Sequence, residues 1–302
     1  MKKDRPLFFL FLLALALAVA LLWLQEMERS RRPSTRRPPE RRPQVARPGI
    51  APKEESKGFA PSTPLPPPER IEKTPRPDVS PTPYQVAIVI DDLGYNDEDY
   101  RPFLEIGYPL TFAILPSLPY SRAIAKELSD HGREVMLHLP LEPWEFPSKN
   151  PGRGVILSSM SPDQMRDILL QDLSSVPGVV GVNSHMGSRL TEDREAMRVI
   201  LVELKRRNLY FLDSLTTRDT VVPSLARELG LRVGSRSIFL DNYEDRTYIE
   251  GQLKALVRLA RTRGGAIAVG HPYPMTAAVL KGYLPYLERE GVRLVTVSKL
   301  IH

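Results

Sequence analysis

The sequence predicts an α/β fold, a compact barrel of parallel strands, on three observations. From Gln85 onward short continuous apolar runs alternate with amphipathic stretches, about eight such units fit into residues 85–302, and most of the apolar runs end on Asp, Asn or His. Continuous apolar strands separated by helices indicate parallel strands buried on both faces. Eight units in this length suit a barrel, with a doubly wound open sheet as the second choice.

The strands begin at Val86 (VAIVI), Leu110 (LTFAIL), Glu134 (EVMLHL), Val179 (VVGVNS), Leu209 (LYFLD), Arg236 (RSIFLD), Ala266 (AIAVGH) and Arg293 (RLVTV). Helices are predicted over residues 97–106, 120–131, 161–175, 192–207, 220–229, 245–263 and 275–290. Ser161-Pro162-Asp163 and Thr191-Glu192-Asp193 provide capping residues at two of their starts.

Two segments precede this domain. Residues 1–24 open with Lys2, Lys3 and Arg5 and continue as 18 uncharged apolar residues from Leu7 to Leu24. At about 1.5 Å per residue such a helix nearly matches a bilayer core of roughly 30 Å. The expectation is an uncleaved membrane anchor with the basic flank in the cytoplasm and the rest of the chain exported. A cleaved signal peptide is the competing reading, because triplets such as Ala18-Val19-Ala20 suit a signal peptidase, although they lie inside the apolar run. Either reading is extracytoplasmic. Residues 25–84 contain 15 of the 30 Pro with few large apolar side chains, which predicts a disordered, extended stem. Its arginines, Arg29 to Arg42, also suit anionic lipid headgroups or an acidic polymer.

The formal net charge of +6 belongs to this front part. Residues 1–84 hold 16 of the 42 Lys and Arg and 9 of the 36 Asp and Glu, which leaves 26 and 27 for the domain. A nearly neutral domain argues against a nucleic-acid surface. The absence of Cys excludes disulfides, cysteine-ligated zinc, iron–sulfur clusters and a thiol nucleophile. Any metal is therefore held by His, Asp or Glu.

What ends the strands carries the functional reading. Asp91-Asp92 follow the first, His138 ends the third, Asn183-Ser184-His185 the fourth, Asp213-Ser214 the fifth, Asp241-Asn242 the sixth and His271 the seventh. In a parallel barrel these ends open on one face and converge. His131 in a turn and His302 at the terminus stand apart from them. Strand alternation predicts that Asp91 and Asp92 point in different directions, one toward a cation and one toward substrate. Together with His138 and His185 they form an oxygen and imidazole set suited to a divalent metal such as zinc, with His271 as general acid. The implied chemistry is metal-assisted hydrolysis of an amide or ester.

The segments VAIVIDDLGYN, HGREVMLHLPLEP, GVNSHMGSRLTED and AIAVGHPYP together resemble the divergent polysaccharide deacetylase family, a YibQ-like branch of the carbohydrate deacetylases with a NodB-type barrel. The resemblance covers residues 85–302 and implies a distorted (β/α) barrel of about seven strands. It carries the role of base onto Asp91, that of metal ligand onto Asp92 and that of catalytic histidine onto His271. Ordinary members have two metal-binding His four residues apart, where this chain has His138 and then Glu142; their third motif carries Arg and Pro, where this chain has His185 and Arg189. The resulting expectation is that Asp92, His138 and His185 ligate the metal, with Glu142 as the alternative ligand if His185 contacts substrate. Arg189 and Asp213 are expected on the substrate side.

The leading expectation is thus a membrane-anchored deacylase of a carbohydrate polymer in the cell envelope, de-N-acetylating in type. The alternative is a barrel without activity that binds glycan. Glycoside hydrolysis is a third reading; it requires Asp91 paired with Asp213 or Asp241, because adjacent carboxylates do not flank a sugar at roughly 5 to 9 Å. Tyr95, Trp144, Phe146 and Tyr273 lie near the motif loops, where aromatic rings stack on sugars or cover the rim.

Overall fold

The computed structural model describes residues 84–301, which form strands β1 (Tyr84–Leu93), β2 (Thr111–Ile114), β3 (Glu134–Leu141), β4 (Gly181–Met186), β5 (Tyr210–Asp213), β6 (Val233–Ser235), β7 (Ile238–Phe239), β8 (Gly265–Gly270) and β9 (Val292–Leu294). The helices are α1 (Arg101–Leu104), α2 (Ser121–Asp130), α3 (Pro162–Ser175), α4 (Arg194–Arg206), α5 (Val222–Leu229), α6 (Arg246–Arg263) and α7 (Pro274–Arg289). Among the described residues no helix is long and apolar enough to cross a membrane. The expected anchor at residues 7–24 and residues 25–83 of the expected stem lie outside the described residues, while Tyr84, assigned to the stem, is the first residue of β1.

Every strand pair is parallel, in the spatial order β6-β5-β4-β3-β2-β1-β8-β7, with β9 beside the start of β1. The sheet curls into a half-barrel that stays open between β6 and β7. The reason is local: only Arg236 and Ser237 separate these strands, and parallel neighbours need a crossover of about a dozen residues. β6 itself was not expected, since Val-Gly-Ser is not an apolar run; it is held by its ladder with β5.

Alternation along β1 separates two cores. Val86, Ile88 and Ile90 join the large apolar layer shared with the helices, while Ala87 and Val89 pack inside the curl with Met136, Tyr210, Leu212 and Val269. The inner layer has little room, and a Cβ at Gly181 would lie 2.3 Å from the Tyr210 ring. The carboxy-terminal end of the chain fills the lower opening: Val297 and Ile301 belong to the inner core, and a Cβ at Gly234 would lie 2.7 Å from Ile301.

Glu134 fastens that plug. Its carboxylate accepts from Thr111 Oγ1 at 3.1 Å, Tyr210 Oη at 2.9 Å, the Ser298 backbone N–H at 3.0 Å and the Ser298 hydroxyl. Three strands and the chain end thus meet on one carboxylate, which leaves the opposite, carboxyl-end face as the open one.

The helix caps account for most boundary differences. Ser161 and Gln164 form a reciprocal capping box at α3, as the Ser-Pro-Asp signal implied. At α4 the cap is Asp193, whose side chain accepts from Glu195 and Ala196 N–H groups, so that helix starts later than its first candidate residue. The helix expected over 97–106 shrinks to α1 because Asn96 Oδ1 captures the N–H groups of Glu98 and Asp99 in a turn.

Removing the Glu134 carboxylate leaves several donors without their acceptor. Glu134→Ala is expected to destabilise the protein by about 2–4 kcal/mol in urea unfolding; a change within about 0.5 kcal/mol, the range of neutral surface substitutions, contradicts the plug assignment.

Candidate metal centre

The geometry of the open face starts with an irregularity in β1. Its register with β2 runs Ile90↔Phe112 and then Leu93↔Ile114, so β1 contains one extra residue there, and Asp92 lies in that bulge with φ +59°. Asp tolerates this left-handed conformation better than most residues, at a cost of about 1 kcal/mol or more. The bulge cancels the alternation expected of the pair. Asp91 Oδ2 and Asp92 Oδ1 both approach the same atom, His138 Nε2, at 3.7 Å and 3.0 Å. The two carboxylates therefore converge on one imidazole rather than facing apart.

His138 reaches that point from β3, and His185 from β4. Asp92 Oδ1, His138 Nε2 and His185 Nδ1 form a triangle with all three edges at 3.0 Å. Asp92 Oδ1 is buried and receives no hydrogen bond of acceptable geometry. Donors on such a triangle can share one cation at about 2.0–2.2 Å from each, and a carboxylate with two imidazoles suits a divalent transition metal. Among the described residues this is the one cluster of at least three such side chains with converging ligand atoms. The donor set fits a metal on these grounds.

The surrounding charges suit different tasks. Burial alone would raise the Asp92 carboxyl, but the two imidazoles hold it well below the ordinary carboxylate range. Burial raises Asp91, with His138 opposing. In the metal-free site burial opposes the charged form of His138, yet Asp91 and Asp92 prevail and lift it to about 9. His271 follows β8 and is buried enough to disfavour its charged form, but its bond to Asp241 raises it above its usual value.

Asp241 was singled out as a strand end, not as the partner of His271. The β7–β8 register, which ends with Phe239↔Val269, continues to place these two side by side. Asp241 Oδ1 accepts from His271 Nδ1 at 2.8 Å, and Oδ2 accepts from the His271 backbone N–H and from Thr276 Oγ1, each at 2.7 Å. The proton on Nδ1 leaves His271 Nε2 facing the centre, 3.8 Å from Asp92 Oδ2. Phe239 stacks near one side of the ring, and Tyr273 tilts against it at 5.5 Å.

Three sequence expectations separate from this cluster. Glu142 is buried, and its carboxylate accepts from the Ser158 N–H and hydroxyl at 2.7 and 2.6 Å and from Arg189 Nη1 at 3.0 Å, so it is committed elsewhere. Asp213, expected on the substrate wall, is buried with its oxygens accepting from Leu215 N–H and Thr220 Oγ1, and it holds its own loop. Arg189 remains at the rim, its guanidinium 5.4 Å from the Trp144 ring centre. Arg236, which no motif marked, donates to the Ser214 and Leu215 carbonyls and stacks on Phe239 at 3.7 Å beside the open seam.

The open parallel half-barrel has a counterpart among solved structures. The crystal structure of an uncharacterized protein from Agrobacterium tumefaciens C58 shares the fold with a TM-score of 0.70 at 24% identity, over 74% of this chain and 92% of that one. The chain belongs to the divergent polysaccharide deacetylase family, whose sequence model matches residues 88–301. The uncharacterized protein YibQ of Escherichia coli K12 is 36% identical over 219 residues, 72% of this chain and 67% of YibQ. An uncharacterized protein of Haemophilus influenzae is 36% identical over 216 residues, 72% of this chain and 76% of that protein.

The proton on His138 competes with a metal. Because its folded value is raised from 6.5 to about 9, its stabilising contribution to the metal-free fold is complete below about pH 6.5 and is lost as pH rises through about 9. Metal affinity, measured by competitive titration, is accordingly expected to climb across that window and level off above it; an affinity independent of pH between the two values contradicts this charge assignment.

Proposed function

We propose that the protein is a metal-dependent hydrolase of the cell envelope that removes acyl groups, N-acetyl in type, from a carbohydrate polymer. The observation that carries this reading is the donor triangle with a buried carboxylate, Asp91, on one side and the Nε2 of an Asp-held imidazole, His271, on the other.

Asp92, His138 and His185 would hold the ion, zinc in this reading. A bound divalent ion supplies Lewis-acid chemistry to an acyl carbonyl and to water. Asp91, raised by burial, accepts the proton of the attacking water at its carboxylate. His271 delivers a proton from Nε2 to the leaving amine nitrogen, while Asp241 keeps Nδ1 protonated and the ring in place.

A polymer substrate is supported by the rim. Tyr95, Tyr120, Trp144 and Tyr243 are exposed in loops that follow β1, β2, β3 and β7, on the face where the metal triangle opens. Aromatic faces stack on sugar rings, and their spread around the mouth suits several units of a chain. Arg189, pinned by Glu142 and covering one face of Trp144, belongs to this substrate side. The basic start and apolar run at residues 1–24 would anchor the domain outside the cytoplasm, with residues 25–83 as its tether.

The alternative, a glycan-binding barrel without activity, drew on the missing second histidine at position 142. His185 supplies the third donor in its place, which favours the enzyme. The purified protein is expected to bind about one zinc ion per chain and to release acetate from N-acetylated envelope polymers. Asp92→Ala should abolish zinc binding, whereas Asp91→Asn and His271→Ala should keep zinc and lower acetate release by about 10²-fold or more. Glycan binding without acetate release from any N-acetylated polymer would return the protein to the alternative.

A further inference from the structure

Asn183 is fully buried on β4, in register with His138 on β3, and has no part in the chemistry above. The inner layer below it is filled by apolar side chains, so a polar amide at this level calls for a physical reason. Its two ends supply one. Nδ2 donates to Asp91 Oδ1 at 2.8 Å, and Oδ1 lies 2.9 Å from His138 Nδ1.

The direction of this chain of bonds is fixed from one end. A carboxylate accepts and cannot donate, so the amide nitrogen faces Asp91 and the amide oxygen faces His138. An amide oxygen only accepts, so His138 carries a proton on Nδ1. In the neutral ring Nε2 is then a bare lone pair, and Nε2 is the atom that lies 3.0 Å from both Asp92 Oδ1 and His185 Nδ1. The opposite amide orientation would set two oxygens against each other at Asp91. It would also favour the tautomer whose proton sits on Nε2, inside the triangle.

We propose that Asn183 is a positioning residue that sets the tautomer of His138: by linking Asp91 to His138 Nδ1 it keeps the Nε2 lone pair pointed into the donor triangle. The same amide holds the Asp91 carboxylate in place through its other end, so the base and the metal ligand are oriented by one side chain. The consequence for metal affinity rests on the metal reading given under Proposed function; the tautomer itself does not.

The test separates the two ends of the amide in the full-length protein. Asn183→Asp keeps an acceptor for His138 Nδ1 but loses the donor to Asp91. Asn183→Ala loses both, and Asn183→Leu loses both while keeping the same branched shape, so that it stands in should the alanine variant fold poorly. Zinc is titrated in competition with a chromophoric chelator. The His138 ring nitrogens are followed by ¹⁵N NMR in metal-free protein at about pH 10, where imidazole is neutral. Wild type and Asn183→Asp are expected to show the proton on Nδ1 and to agree in zinc affinity within about threefold. Asn183→Ala or Asn183→Leu is expected to give a mixture of tautomers and a zinc affinity lower by about 10- to 100-fold. An unchanged tautomer and affinity in the variants lacking both bonds overturns the proposal, and so does an equal loss in Asn183→Asp. Wild type that binds no zinc, yet shows the tautomer change in the variants, overturns the metal reading and supports the positioning role.

Discussion

One extra residue in β1 decides what the open face contains. A regular strand would send Asp91 and Asp92 to opposite sides of the sheet, one into the curl and one toward the helices. With Asp92 at φ +59° in a bulge, both carboxylates reach His138 Nε2. Their immediate surroundings nevertheless differ. Asp92 stands between two imidazoles and stays ionised, while Asp91, more enclosed, is lifted toward the behaviour of a base. β1 lies between β2 and β8 in the sheet, so the bulge sits where side chains from both flanks can meet it.

The rest of the fold makes that strained pair tolerable. On one flank the Asp91–Asn183–His138 chain of hydrogen bonds ties β1 to β3 and β4. On the other, Asp241 grips His271 through both ring and backbone nitrogens. Buried polar groups of this kind are costly alone and acceptable when their partners are complete. At the far end Glu134 gathers donors from β2, β5 and the chain end, which closes the curl opposite the site. The polar groups thus lie at the two ends of the half-barrel, with an apolar layer between them.

Much of this was legible in the residues because a parallel α/β sheet turns strand ends into a list of neighbours. Asp92, His138, His185 and His271 were expected on one face, and they meet there. The direction of Asp92 was not legible, because the bulge depends on register with β2, a property of two strands rather than of one. Glu142 and Asp213 looked available by position; their hydrogen bonds to Ser158, Arg189, Leu215 and Thr220 come from loops whose path no periodicity reveals. Asp241 had a weak signal in its place at a strand end, which became meaningful only with the pairing of β7 and β8. β6 was invisible for a simpler reason: Val233-Gly234-Ser235 carries too little apolar character to mark a strand.

The unpaired border between β6 and β7 places the bulge inside the sheet, two strands from the β7 edge, and the free edges at its two ends. A closed barrel has a circumference set by its ladder all the way round, so a change of girth strains every rung. Here the β1–β2 and β1–β8 rungs can keep their spacing while the margins shift, and the Arg236 side chain bridging that border is a clasp rather than a hoop. Lengthening or shortening the two-residue link between these strands breaks no strand-to-strand rung between them, so the width of the mouth at this border is not fixed by a ladder.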